Sequence, residues 1–177
     1  MGLGAALAGG IVMMMIAIVM GMAIPAILGA NTSMSSAVSE RQQLDDALSK
    51  SSVTITSLRA PALSSTATFT LNNTGSTKLW NYQKFIVIVT YDAQVAPLVS
   101  VKKTEELTYQ GITNTTSPGY WSISGFNNDY VDPQIINPNE SANFTCRLDD
   151  PLFPTGTMTA VVSTDAGAST SRSGAIS

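Results

Sequence analysis

Ala142-Asn143-Phe144-Thr145-Cys146-Arg147-Leu148 alternates apolar and polar side chains without a break. Successive side chains on a strand point to opposite faces, so this run reads as a strand with one buried face and one wet face. The same period recurs on both sides of it. Val53 to Leu58 alternates, and Ala67, Phe69 and Leu71 alternate with Thr68, Thr70 and Asn72. Met158, Ala160 and Val162 mark a last strand, Tyr120 to Ile123 another, and residues 98–109 a more polar one. Phe85-Ile86-Val87-Ile88-Val89-Thr90-Tyr91 is apolar on both faces, as a central sandwich strand can be. Turn residues separate the runs at Asn72–Gly75, Ser117–Gly119, Asn137–Asn139 and Pro154–Gly156. The fold class is therefore all-β. About seven short strands predict an immunoglobulin-like sandwich over residues 53–177, with an up-and-down barrel as the alternative. From Ala166 onward the chain is small and polar, and a loose tail is expected there.

Upstream the pattern changes. Leu3 to Leu28 is almost wholly apolar, and no charged residue precedes Glu40. As a helix this run would rise about 39 Å, more than the roughly 30 Å of a bilayer core, which about 20 residues span. It lacks the basic start of a secretory signal and is too long for one. Residues 1–30 are thus expected to form a transmembrane helix, with Pro25 near one end and Gly9, Gly10 and Gly21 open to close helix contact. Residues 31–52 continue at helical spacing, with Met34, Ala37, Val38, Leu44 and Leu48 forming a narrow apolar stripe. This stalk either packs on its own β-domain or pairs with another helix; the stripe is too short to decide.

Composition removes several classes of function. The 177 residues include no histidine, which excludes Ser-His-Asp and Cys-His catalysis and the commonest metal ligand. The single cysteine, Cys146, cannot close an internal disulfide, and on an apolar strand face it reads as a buried inert thiol. Charged residues make up 12% of the chain at a net charge of −3, and Lys102-Lys103 is the only basic pair, so no nucleic-acid surface is present. The acidic pairs Asp45-Asp46, Glu105-Glu106 and Asp149-Asp150 read as solvated surface, since neighbours on a strand face opposite ways. Asn127, Asn128, Asp129 and Asp132 are oxygen-rich but lack the EF-hand spacing, and read as a turn. Trp80, Tyr82 and Trp121 read as core or rim packing, with a binding patch as the alternative. No catalytic residue, metal ligand or cofactor is expected, and the chain is not read as an enzyme.

Asn31, Asn72, Asn114, Asn139 and Asn143 each begin an Asn-X-Ser/Thr sequon. Asn143 falls on the polar face of its strand, and the others are expected in turns or the stalk. Such acceptors have meaning only outside the cytoplasm. Arg41 and Lys50 lean slightly the other way under the positive-inside rule, but two residues are a faint signal. The β-domain is therefore expected on the extracytoplasmic side.

Taken in order, these segments resemble the F- and G-type accessory proteins of the archaellum, the archaeal flagellum. The likeness spans nearly the whole chain. It begins with Met1-Gly2-Leu3-Gly4 running straight into the apolar helix and continues through the Asn72-Asn73-Thr74-Gly75-Ser76-Thr77 turn. Leu79-Trp80-Asn81-Tyr82 then leads into the Phe85–Tyr91 strand. It ends with Ile136-Asn137-Pro138-Asn139-Glu140-Ser141, where the family usually has a Pro-Gly turn. The Trp-Asn-Tyr segment favours the F type. The resemblance implies a membrane-anchored stator component beneath the surface (S-) layer, whose sandwich binds the S-layer protein and associates with its G-type or F-type partner. An exposed strand edge would also permit homo- or hetero-oligomers. The rival reading is an archaellin or type IV pilin-like filament subunit with its helix in the filament core. That family carries a short basic leader before the apolar helix; none is seen ahead of Leu3, which counts against the rival unless residue 1 is already a processed end.

Overall fold

The computed structural model describes the backbone of residues 3–177, and the side chains of all of these except 3–8, 19–33, 44 and 47. The chain divides into two compact units, Met1–Asp45 and Asp46–Ser177. One helix, α1 (Leu3–Lys50), runs through the first and contributes its last turn to the second. In the first unit Ile11, Val12, Met13, Met14, Met15, Ile16 and Ile18 are exposed, and so are Met34 and Val38 of the stripe. The expected transmembrane segment falls largely on side chains outside the described set. Among the described residues no helix is long and apolar enough to cross a membrane. Leu44 of the stripe likewise lies outside the described side chains.

The second unit is a sandwich of eight strands: β1 (Val53–Arg59), β2 (Thr66–Asn73), β3 (Ile86–Ala96), β4 (Val99–Ile112), β5 (Tyr120–Asn127), β6 (Ser141–Arg147), β7 (Thr157–Ser163) and β8 (Ser169–Ala175). Their spatial order is β1-β2-β6-β5-β4-β3-β7-β8. Strand β4 belongs to both layers. Val99 to Leu107 pairs antiparallel with β3, and Thr108 to Ile112 pairs parallel with β5. The changeover carries a register shift between Tyr109 and Gly111, and Gly111 has φ +133°, a conformation that glycine adopts at no steric cost. At the opposite side β1 and β8 meet, with Arg172 Nη1 donating to the Ile55 carbonyl at 3.1 Å.

The alternating runs bury the faces their period assigns. Ala67, Phe69 and Leu71 of β2 and Ala142, Phe144 and Cys146 of β6 are all at most 2% exposed. Phe69 lies directly opposite Phe144, with ring centroids 4.9 Å apart. Trp121 stacks on the other side of Phe144 at 5.1 Å and also meets Tyr109 at 4.6 Å. Val87, Val89 and Tyr91 of β3 face Met158, Ala160 and Val162 of β7 in register within the same core. Each such valine, leucine, phenylalanine or methionine contributes about 1.5–3 kcal/mol on burial, and each alanine less.

Two expectations need correction. The strand count is eight, because the stretch expected to be a loose tail is β8. It pairs with β7 from Ser169 to Ala175, and after it Ile176 is only 4% exposed while the Ser177 amide donates to the Ala60 carbonyl at 3.1 Å. Asn72, expected in a turn, pairs within β2 opposite Thr54 and Ser141.

Candidate functional site

The acidic pairs of the sequence do not gather into a reactive centre. Glu105 is separated from Glu106 by the strand period: Glu105 turns toward the sandwich, while Glu106 is exposed. Glu105, Asp149 and Asp150 converge instead on one cation, Lys103, at 3.1, 3.7 and 2.9 Å. Glu105 also accepts the Tyr91 hydroxyl at 2.5 Å. The hydrogen bond to Asp150, followed by that to Glu105, holds the Lys103 ammonium above its ordinary pKa. Burial, then the bond to Glu105, does the same for the Tyr91 hydroxyl. Every member is committed to another, so the network fastens β4 to the β6–β7 connection and leaves no free acid or base. Asp46 pairs with Lys50 one helical turn away.

The oxygen-rich segment after β5 is largely engaged too, although Asp129 Oδ1 is buried without a hydrogen-bond partner among the described residues. Asn127 donates to Ser141 and Asn143, Asp129 accepts the Gln134 amide at 3.1 Å, and Asp132 pairs with Lys78. Among the described residues no group of carboxylate, histidine or cysteine side chains could hold a metal ion. Cys146 is fully buried, and that burial pushes its thiol up to about 12.

The sequons differ in access. Asn114 and Asn139 are exposed, Asn72 and Asn143 are half-buried on outward faces, and the side chain of Asn31 lies outside the described residues. Asn143 is further engaged, accepting from Thr70 at 3.0 Å. Asn114 borders a hollow of about 260 Å³ lined with Thr66, Thr115, Thr116, Thr145 and Arg147. Asn139 holds φ +67° after Pro138, the left-handed position that a Pro-Gly turn gives to glycine and that asparagine tolerates.

Three features stand apart from these networks. The first joins the last turn of α1 to the sandwich. Ser76 donates its amide to the Lys50 carbonyl at 2.8 Å, and the amides of Thr74 and Gly75 donate to the Ser52 carbonyl at 2.9 Å each. Thus the loop satisfies a carbonyl that the helix end leaves open. The loop is itself held by Asn73, fully buried, whose amide donates to the Thr77 and Ile136 carbonyls at 2.8 and 3.0 Å and whose oxygen accepts from Gly75 at 3.1 Å. Gly75 is required by approach: a Cβ there would lie 2.5 Å from both the Lys50 oxygen and the Ser52 nitrogen.

The second is the β3–β4 hairpin. Strand β7 accompanies β3 only from Ile86 to Tyr91, and the Ala93–Leu152 bridge backs it a little further. Beyond that the tip stands free, with Val95, Leu98, Val99 and Val101 about half to nine-tenths exposed. Leu98 sits at φ +61° in the two-residue loop after Pro97. The third is Trp80. Leu79 and Tyr82 on either side go into the core, while the Trp80 ring is 63% exposed. It borders a hollow of about 340 Å³ with Asn81, Tyr82, Gln83 and Tyr109. Of the tryptophans, Trp121 takes the core place and Trp80 the rim. Sequence reasoning passed over Asn73, the hairpin tip and Lys103; the Asn-Asn-Thr-Gly turn was the one available pointer to the first.

With this geometry in hand, comparison with known proteins is informative. Residues 49–174 match the model of conserved flagellar protein F, immunoglobulin-like domain. No curated protein sequence matches the chain. Among solved structures, the archaellum periplasmic stator protein FlaG from Sulfolobus acidocaldarius is 18% identical, with a TM-score of 0.50, covering 70% of this chain and 99% of that one. The FlaF and FlaG stator complex from the same organism is 17% identical, with a TM-score of 0.49, covering 69% and 87%. A chain of the archaeal flagellum of Methanospirillum hungatei strain JF1 is 13% identical, with a TM-score of 0.61, covering 97% and 93%. At these identities the likeness is one of fold.

Proposed function

The chain belongs to the conserved flagellar protein F family through its immunoglobulin-like domain, and from that premise we propose that it is a static, membrane-anchored part of the archaellum motor, bracing it against its own torque. The family is structural, and the chain is not an enzyme. The apolar N-terminal run serves as a single-pass anchor, residues 31–52 as the stalk, and the sandwich lies outside the cytoplasm beneath the S-layer. There it binds the S-layer protein and associates with a G-type partner. The FlaF–FlaG stator complex lends that pairing its precedent, and the five sequons favour the outer side. Asn31, Asn72, Asn114, Asn139 and Asn143 are the candidate glycan acceptors, with Asn114 and Asn139 the most accessible of those described.

The observation that carries the reading is the family match over the sandwich, residues 49–174. The junction at Lys50 supports it, since a brace must pass load from its anchor into its domain, and here the helix end is bonded to a loop as well as to the next residue. The test is binding of the full-length chain, in detergent, to purified S-layer protein, alongside an inventory of isolated filaments. Saturable binding with absence from the filament supports the brace.

A second reading is favoured by one observation. The Methanospirillum flagellum chain aligns over 97% of this chain, helix included. On that reading the protein is a filament subunit with α1 in the filament core. Recovery of the chain as a stoichiometric filament component, without S-layer affinity, would replace the brace by the subunit.

A further inference from the structure

Tryptophan is the side chain with most to gain from burial, and Trp121 is fully buried among Tyr109, Phe85 and Phe144. Trp80 instead presents its ring to water, although Leu79 beside it is 1% exposed. The hollow it borders has a rigid base. Tyr82 donates its hydroxyl to the Leu79 carbonyl at 3.0 Å and lies within 2.9 Å of the Gln134 carbonyl, and its ring packs against Phe85, Tyr109 and Phe126. The 3-10 turn Tyr82–Lys84 fixes where Gln83 stands.

The polar groups around the hollow are unspent. Among the described residues, the side-chain amides of Asn81 and Gln83, the hydroxyl of Tyr109 and the indole N–H of Trp80 have no hydrogen-bond partner. No carboxylate, ammonium or guanidinium group lines the hollow. Tyr109 is neutral there, because burial raises the pKa of its hydroxyl.

We propose that this hollow is a saccharide-binding subsite, with a sugar ring stacked on Trp80 and its hydroxyls bonded to Asn81, Gln83 and Tyr109. An indole face suits the C–H face of a pyranose, and paired donor-acceptor amides suit vicinal hydroxyls. The lack of charge in the lining disfavours phosphates, carboxylates and amines. The volume, about 340 Å³, lies at the small end of ligand pockets and fits one or two sugar units. The ligand chemistry is a neutral glycan, either free or carried on a glycoprotein. This goes beyond the bracing role and does not depend on it, since a filament subunit could carry the same subsite.

The test uses the full-length protein, ¹⁵N-labelled on its indoles, in a detergent without a sugar headgroup. The two tryptophans give two indole N–H signals, and only that of Trp80 is exposed to ligand. Titration with a panel of neutral disaccharides (maltose, mannobiose, N,N′-diacetylchitobiose) is expected to move the Trp80 signal saturably at millimolar concentration while Trp121 stays in place. Asn81→Ala and Gln83→Ala should weaken that response by modest factors. For Trp80→Ala and Trp80→Phe, which lack the signal, saturation-transfer NMR on the disaccharide reads binding, with Trp80→Ala expected to weaken it about tenfold or more and Trp80→Phe to retain part of it. The Trp121 signal reports that each variant remains folded.

Glycosylated S-layer protein and the same protein after deglycosylation separate the sources. Loss of a Trp80-dependent interaction on deglycosylation assigns a protein-borne glycan, whereas response to disaccharides alone assigns a free one. Trp80-dependent binding that survives deglycosylation, with no response to any saccharide, would overturn the proposal and make Trp80 a protein-contact residue. A silent Trp80 signal toward every probe would overturn it too.

Discussion

Gly75 and Asn139 carry most of what single residues decide here. Gly75 has to pass the helix end so closely that a methyl group would strike two backbone atoms. Gly75→Ala is expected to cost about 1–3 kcal/mol, as overpacking against rigid neighbours does, and urea denaturation of the purified protein measures it. Asn139 stands in the left-handed region, where other non-glycine residues pay about 1–2 kcal/mol. Asn139→Ala should therefore lower the urea midpoint while Asn139→Gly leaves it nearly unchanged; equal losses in both would mean that the side chain, not the backbone angle, matters. The sequence marked both residues as turns from composition alone. It could not mark Trp80 as exposed and Trp121 as buried, because both occur in aromatic-rich segments, and the difference arises only when Leu79 and Tyr82 turn inward around Trp80.

At the scale of elements, strands with one buried face were legible, and so was the polar β4, but β8 was not. The buried alternation of β1, β2, β6 and β7 is written in the sequence, while β3 is apolar on both faces there. Ser169–Ala175 has no apolar face, and β8 is instead held by its backbone ladder to β7, by Arg172 and by the tucked Ile176. Truncation after Gly167 should accordingly abolish cooperative unfolding or solubility rather than trim a tail, as circular dichroism melting would report. Carboxylates tie other elements together. Asp92 on β3 accepts the Thr157 amide at 2.7 Å at the start of β7, and that bond, with help from Lys102, lowers its pKa. For Glu140, ahead of β6, burial alone would raise the pKa, but bonds from Asn137 and from the Tyr130 and Val131 amides outweigh it and lower it. A carboxyl depressed in the folded state contributes its full stability above the unfolded value of about 4 and loses it as pH falls through the folded value. The urea midpoint should hold from neutral pH to about pH 5 and then drop. Asp92→Asn with Glu140→Gln should be less stable at neutral pH and show a shallower acid decline; an unchanged decline would remove these two groups from the account.

For the whole molecule, the buried hydrophobic residues among those described run from Val53 to Ile176, within the Asp46–Ser177 unit. Residues 46–177 should fold alone with a single cooperative transition. Residues 53–177, which lack the Lys50 junction, should fold but be less stable by about 1–2 kcal/mol, the scale of one or two lost hydrogen bonds. The sandwich class was readable because period-2 patterning dominates its chain. The sharing of β4 between layers was not, since a long polar strand gives no sign of where it changes partner. The junction at Lys50 has a consequence in rotation. A rod joined to a body by the chain alone keeps two free dihedrals at each linking residue and acts as a swivel. The last turn of α1 is held a second time, sideways, by Ser76, and the neighbouring Thr74 and Gly75 hold Ser52. Two attachments off one line make a key in a shaft: the last turn of α1 cannot turn against the strand that follows it without breaking the Ser76 bond to Lys50.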